Sequence, residues 1–106
     1  MAIEEISVDQ LDPALGSGAF VLDVRNPDEH LEARVPGVVL IPLAELESRY
    51  VEIPPSDEVY VICRSGARSA QAVEFLRGRG VDAVNVAGGT MAWIDSGRGV
   101  DSGPDA

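Results

Sequence analysis

One cysteine occurs in the chain, Cys63, and it heads the run Cys63-Arg64-Ser65-Gly66-Ala67-Arg68-Ser69. The apolar stretch Val59-Tyr60-Val61-Ile62 leads into this run, and the helix-forming Ala70-Gln71-Ala72-Val73-Glu74-Phe75-Leu76 leads out of it. The pattern reads as a strand, a tight loop and a helix, with the thiol at the strand end facing the helix N-terminus. The helix dipole and nearby cations both favour the thiolate, which is the nucleophilic form of cysteine. Gly66 lets the chain curl so that successive N–H groups point into one hollow, an anion-binding nest. Arginines are poor first-turn residues, because the positive end of the helix dipole repels cations. Arg64 and Arg68 suit this place if the hollow holds an anion, to which they add charge-assisted hydrogen bonds. The chemistry indicated is attack by Cys63 on a sulfur or phosphorus oxyanion. A strand-end cysteine taken alone is more often a small buried hydrophobe. The glycine and both arginines in the same loop favour a site.

Such a loop needs a sheet to hold it. Residues 3–6 suit a short first strand, and Ser7 with Gln10 makes a capping-box pattern for a helix through Leu15. Gly16-Ser17-Gly18 breaks that helix. Residues 19–24 are nearly continuously apolar and of strand length, as in a strand buried on both faces of a parallel sheet. Asn26-Pro27-Asp28-Glu29 is a helix start, with a cap, a proline at the first position and acids in the first turn. A strand is expected over 38–41, a helix over 43–50 and a break at Pro54-Pro55. The helix after Cys63 ends at Gly78-Arg79-Gly80, and Ala83-Val84-Asn85-Val86 is one more short strand. Gly88-Gly89 then turns into a last helix, Thr90-Met91-Ala92-Trp93-Ile94. From Ser96 the composition shifts to Gly, Ser, Asp and Pro, so a frayed end is expected, with 99–106 a flexible tail.

Strands alternating with helices at this spacing imply one α/β domain over residues 3–98. Its mainly parallel sheet would have about five strands, with helices on both faces. Ligands of such sheets bind beyond the carboxyl ends of the strands, where the Cys63 loop falls.

Composition removes several function classes. At 106 residues the chain suits one domain with a core of its own, and 45% apolar content is ordinary for a soluble protein. A formal net charge of -10 argues against nucleic acid as a partner. All eight basic residues are arginine, so each is weighed by its position. One cysteine allows no internal disulfide and no multi-thiolate metal site, and fits a reducing cytoplasm. Met1-Ala2-Ile3-Glu4-Glu5 lacks the basic and long apolar regions of a secretory signal. No apolar run approaches the roughly 18 residues that span a bilayer. The expectation is a small, acidic, cytoplasmic domain without membrane, metal or cofactor. Nothing in the pattern separates a monomer from a homodimer.

Four motifs resemble the successive signatures of rhodanese domains. They are Leu22-Asp23-Val24-Arg25, Pro36-Gly37-Val38 with Ile41-Pro42, the Cys63 loop through Ser69, and Gly88-Gly89-Thr90-Met91-Ala92-Trp93. The likeness spans roughly residues 3 to 98, with the motifs in the family's order. It implies a single-domain, rhodanese-like sulfurtransferase. In that family the loop cysteine takes the outer sulfur of a donor such as thiosulfate, becomes a persulfide and passes the sulfur to a nucleophile. Carried over, Cys63 matches the persulfide-bearing residue, and Arg64, Ser65, Gly66, Ala67, Arg68 and Ser69 match the loop around the sulfur. Asp23 and Arg25 match a pair near the site's edge, with an ion pair between loops the leading reading of their role. Gly88-Gly89 and Trp93 read as structural.

Two departures stand out. Ala33-Arg34-Val35 occupies the place where the family commonly has Gly-His-Ile, and His30 stands where it often carries an aromatic. His30 is expected to be solvated or to pack, with no acid–base role.

Two rivals remain. Cysteine-dependent phosphatases and arsenate reductases present similar loops, but phosphatase loops place five residues between cysteine and arginine, and four separate Cys63 from Arg68. The other rival is a non-catalytic rhodanese-like module that binds a partner or relays sulfur. No second thiol in this chain can resolve a persulfide on Cys63. The expected partners are therefore a small anionic sulfur donor and an external acceptor, either cyanide or a thiol such as that of a thioredoxin-like protein.

Overall fold

Short runs of Val, Ile, Leu and aromatic residues build the sheet of this computed structural model, which describes residues 4–54 and 58–104. The strands are β1 (Glu5–Ile6), β2 (Phe20–Asp23), β3 (Val39–Leu40), β4 (Val59–Ile62) and β5 (Ala83–Val86). They lie in the order β1-β5-β4-β2-β3, and every neighbouring pair is parallel. Five helices run between or after them: α1 (Val8–Gly16), α2 (Pro27–Glu32), α3 (Leu46–Arg49), α4 (Ala67–Gly78) and α5 (Gly89–Asp95). This is the α/β architecture with a parallel five-stranded sheet read from the alternation of apolar runs.

Strand alternation divides the core in two. Leu22, Val59, Val61 and Cys63 pack with Leu46 of α3 and Ala72, Val73 and Leu76 of α4 on one face. Val21, Ile62 and Val86 pack with Val8 and Leu11 of α1 and Trp93 of α5 on the other. A parallel sheet covered on both faces needs such continuous apolar strands. Each fully buried Val or Leu contributes roughly 1.5–3 kcal/mol by leaving water. The cap signals hold as well: Gln10 N donates to Ser7 Oγ, and Ser7 N donates to Gln10 Oε1.

Three departures from the expected elements have physical causes. The helix expected over 43–50 is broken into a 3-10 turn at Leu43–Glu45, the four-residue α3 and a second 3-10 turn at Tyr50–Glu52. Glu45 N donates to Pro42 O and Ile53 N to Tyr50 O, so tight bonds at both ends wind the segment round the sheet edge. β3 has only two residues, at the edge of the sheet next to Pro42. The end expected to fray is tied down as far as Gly103. Arg34 and Asp101 exchange both backbone hydrogen bonds, Gly103 N donates to Leu31 O, and Trp93 Nε1 donates to Gly99 O. Ile3, Pro55 and the last two residues lie outside the described residues. Among the described residues no helix is long and apolar enough to cross a membrane.

Candidate active site

Cys63 directly follows β4, near the centre of the sheet, and is 1% exposed. The loop after it is held from behind by α5. Thr90 donates to the Cys63 carbonyl through its N–H (2.9 Å) and its hydroxyl (3.0 Å), and Met91 N donates to the Arg64 carbonyl (3.0 Å). This close approach explains Gly89. A Cβ there would lie 2.5 Å from the Cys63 carbonyl oxygen and 2.6 Å from that of Arg64. With the loop carbonyls bound to α5, its N–H groups are free to face the sulfur. Gly66, at φ 113, caps α4 and donates its N–H to Cys63 Sγ at 3.0 Å.

Ser69, fully buried in the first turn of α4, places its hydroxyl 3.2 Å from the same sulfur. Burial pushes the Cys63 thiol up. Hydrogen bonds from the Ser69 hydroxyl and from the Ser69, Gly66 and Ser65 amides outweigh it, and the net direction is down. Such a nest favours the thiolate.

Arg68 pairs with Glu29 of α2 in a two-pronged ion pair, Nη1 to Oε1 at 2.7 Å and Nη2 to Oε2 at 2.9 Å, and its charge also acts on Cys63. The Arg68 hydrogen bond, aided by the Asn26 amide and opposed by burial, lowers the Glu29 carboxyl to about 2. Glu29 in turn holds the Arg68 guanidinium above its usual value. Arg64 is exposed, with Nε 3.3 Å from Met91 Sδ. The lowered thiol therefore rests on amides and a hydroxyl more than on guanidiniums.

Asp23 and Arg25 meet as a buried ion pair at the end of β2. Arg25 donates to Asp23 through its N–H, Nε and Nη2, and Nη2 also donates to the Ala33 carbonyl (2.8 Å). His30 is neither solvated nor a simple packing residue, because its Nδ1 lies 3.0 Å from Asp23 Oδ2 and it is 2% exposed. The cluster joins the end of β2 to α2 and to the segment after it. Beside the loop opens a cavity of about 290 Å³, lined by Glu29, Glu32, Arg64, Met91 and Ile94 among others. It borders the loop at Arg64, and Cys63 is not part of its lining.

Residues 7–96 match the family profile described as the rhodanese-like domain. The chain belongs to the rhodanese family. A sulfurtransferase of Allochromatium vinosum is 36% identical over 98 residues, covering 90% of this rhodanese and 92% of its relative. The putative sulfur carrier protein YrkF of Bacillus subtilis is 40% identical over 95 residues, 87% of this chain, which spans only about half (51%) of that relative. The crystal structure of a rhodanese-related protein from Thermoplasma volcanium superposes with a TM-score of 0.87 at 35% identity, covering 92% of this chain and 97% of the other. The rhodanese family joins sulfurtransferases and sulfur carriers, and the fold seen here is theirs.

Sequence reasoning placed Cys63, Gly66 and Ser69 together and missed two residues that touch the rhodanese loop. Glu29 read only as a first-turn acid, since its partner lies 39 positions away. Asn85 donates to the Gly66 carbonyl (3.4 Å) and accepts from Ser69. Its signal was present: an asparagine inside a fully buried four-residue strand breaks the usual strand preference.

Proposed function

We propose that this rhodanese is a cytoplasmic sulfurtransferase that moves a sulfane sulfur from a small anionic donor such as thiosulfate to an external thiol or cyanide, through a persulfide on Cys63. The observation that carries this reading is the Gly66 amide and Ser69 hydroxyl converging on a buried sulfur. The Cys63 thiolate attacks the outer sulfur of the donor; the sulfur–sulfur bond breaks, and sulfite leaves with the electron pair. The loop N–H groups of Ser65, Gly66, Ala67 and Arg68 receive the negative outer sulfur, as preorganised donors do for a developing anion. Arg64 stands exposed at the rim as the cation that meets the donor, and Arg68, held by Glu29, adds its charge from the first turn of α4. Asp23 and Arg25, paired with each other and bound to His30 and the Ala33 carbonyl, tie the end of β2 to α2 and act as a structural pair. The acceptor then attacks the outer sulfur and frees the Cys63 thiolate. With no second thiol in these 106 residues, that acceptor comes from outside them.

The length of the loop favours sulfur over phosphorus. Four residues separate Cys63 from Arg68, one fewer than in a phosphatase loop, which makes a hollow suited to a persulfide sulfur. The test is thiocyanate release from thiosulfate and cyanide. The wild-type chain is expected to turn over and Cys63→Ser to be inactive, with an aryl phosphate left intact by both. Hydrolysis of the phosphate without thiocyanate would transfer the site to the phosphatase reading. Inactivity toward both would leave a binding module.

A further inference from the structure

A chain of hydrogen bonds runs from the surface through Ser69 to Cys63, and the sulfur chemistry above leaves its outer links, at Asn85 and Glu5, without a role. Asn85 Nδ2 donates to Glu5 Oε2 (2.9 Å), Ser69 Oγ donates to Asn85 Oδ1 (2.5 Å), and Ser69 Oγ also lies 3.2 Å from Cys63 Sγ. Glu5 is exposed, whereas Asn85 and Ser69 are 2% and 0% exposed, so water does not compete at the inner links. The orientation of the Asn85 amide follows from its neighbours. The Glu5 carboxylate and the Gly66 carbonyl can only accept, so both face Nδ2, and Oδ1 is left toward Ser69. Ser69 has one hydroxyl proton and two acceptors for it, Asn85 Oδ1 and Cys63 Sγ. Given to Asn85, the proton leaves the Ser69 lone pairs facing the sulfur, which suits a neutral S–H. Given to the sulfur, it suits a thiolate.

We propose that Asn85 is a positioning residue for Cys63, holding the Ser69 hydroxyl off the sulfur until negative charge develops there. The proposal rests on Cys63 being the sulfur-transferring nucleophile and names what sets its protonation and its quality as a leaving group. During discharge, the acceptor sulfur bonds to the outer persulfide sulfur, the bond to Cys63 breaks, and its electron pair stays on Sγ. The Ser69 O–H then turns from Oδ1 to Sγ, and no proton leaves the site. Reloading makes Sγ neutral, and the hydroxyl returns to Asn85. Asn85 thereby keeps the thiolate less stabilised, and more nucleophilic, than the nest alone would leave it, because nucleophilicity falls with thiol pKa. The titratable and charged groups around the sulfur are Arg64 and Arg68 of the loop and α4, Glu29 and His30 of α2, Asp23 and Arg25 at the end of β2, and Glu5 of β1.

The test is the rate of Cys63 alkylation by iodoacetamide across pH, in the full chain, where no other cysteine reacts. Asn85→Leu is expected to move the midpoint down by about half a pH unit, roughly threefold more thiolate below the midpoint. Ser69→Ala is expected to move it up. In the Ser69→Ala background, Asn85→Leu is expected to do nothing more. If Asn85→Leu does not fold, Asn85→Ala serves instead. It too removes the acceptor Oδ1 without changing any charge, and the midpoint moves down, again only with Ser69 present. An unmoved or raised midpoint, or a shift that survives Ser69→Ala, overturns the proposal. Alkylation needs no sulfur donor, so failure of the sulfurtransferase reading would show separately, as an unchanged alkylation pattern with no persulfide.

Discussion

Gly89→Ala tests whether α5 truly sets the Cys63 loop. At φ +59 the new side chain adopts the left-handed region, which costs about 1 kcal/mol. Its Cβ would stand 2.5 Å from the Cys63 oxygen, 2.6 Å from the Arg64 oxygen and 2.7 Å from the Arg64 carbonyl carbon. Carbon–oxygen contacts normally begin near ~3.3 Å, so the loop or α5 must retreat by roughly 0.8 Å. All three atoms are backbone, and no rotamer change relieves them. The retreat stretches the bonds from Thr90 and Met91 to the loop carbonyls, each worth about 0.5–1.5 kcal/mol net. The expected destabilisation is about 2–4 kcal/mol in urea unfolding. Displacement of a nest by close to 1 Å costs on the order of 10²-fold in rate. Persulfide formation by the folded fraction should therefore fall roughly 30- to 100-fold. Gly16→Ala, facing open space, is the control and should be neutral or slightly stabilising. A Gly89→Ala protein within about 1 kcal/mol and threefold of the parent would refute this account of the loop, since those limits lie below the summed costs.

Glu29 contributes stability that is fully present above its unfolded value of 4.5 and lost as pH falls through about 2. The full drop corresponds to roughly 3 kcal/mol, and partial exposure of both partners reduces this to about 1–2 kcal/mol. Glu29→Gln should lose that much less between pH 6 and pH 2.5 in urea unfolding; equal losses would contradict it. Asp23→Ala strands the buried Arg25 and should cost about 3–5 kcal/mol, read as a large fall in melting temperature. An unmoved melting temperature would mean that the pair is solvated. Ending the chain after Arg98 removes the partners of Trp93, Leu31 and Arg34 and should cost about 2–4 kcal/mol. Unchanged stability would restore the frayed tail.

The strand, loop and helix around Cys63 were legible because the signals are local: a four-residue apolar run, one glycine and a helix-forming stretch. Helix starts at Ser7 and Asn26 were legible for the same reason. What sequence could not show is contact between distant positions. The partner that holds the Arg68 side chain, Glu29, lies on another helix and 39 positions away. Residues 99–103 look disordered by composition, yet Arg34 and Leu31, some seventy positions earlier, bind their backbone. Asn85 looks like a flaw in a strand until the fold sets it between Glu5 and Ser69. The break in the segment after Pro42 depends on i to i+3 bonds that helical periodicity does not reveal.

The central claim is that Cys63 carries the sulfur. Incubating the chain with thiosulfate, removing the excess and measuring intact mass tests it most directly. The expected result is a gain of one sulfur atom per chain, reversed by cyanide and absent in Cys63→Ser. An unchanged mass in the wild-type chain, or the same gain in Cys63→Ser, would contradict it.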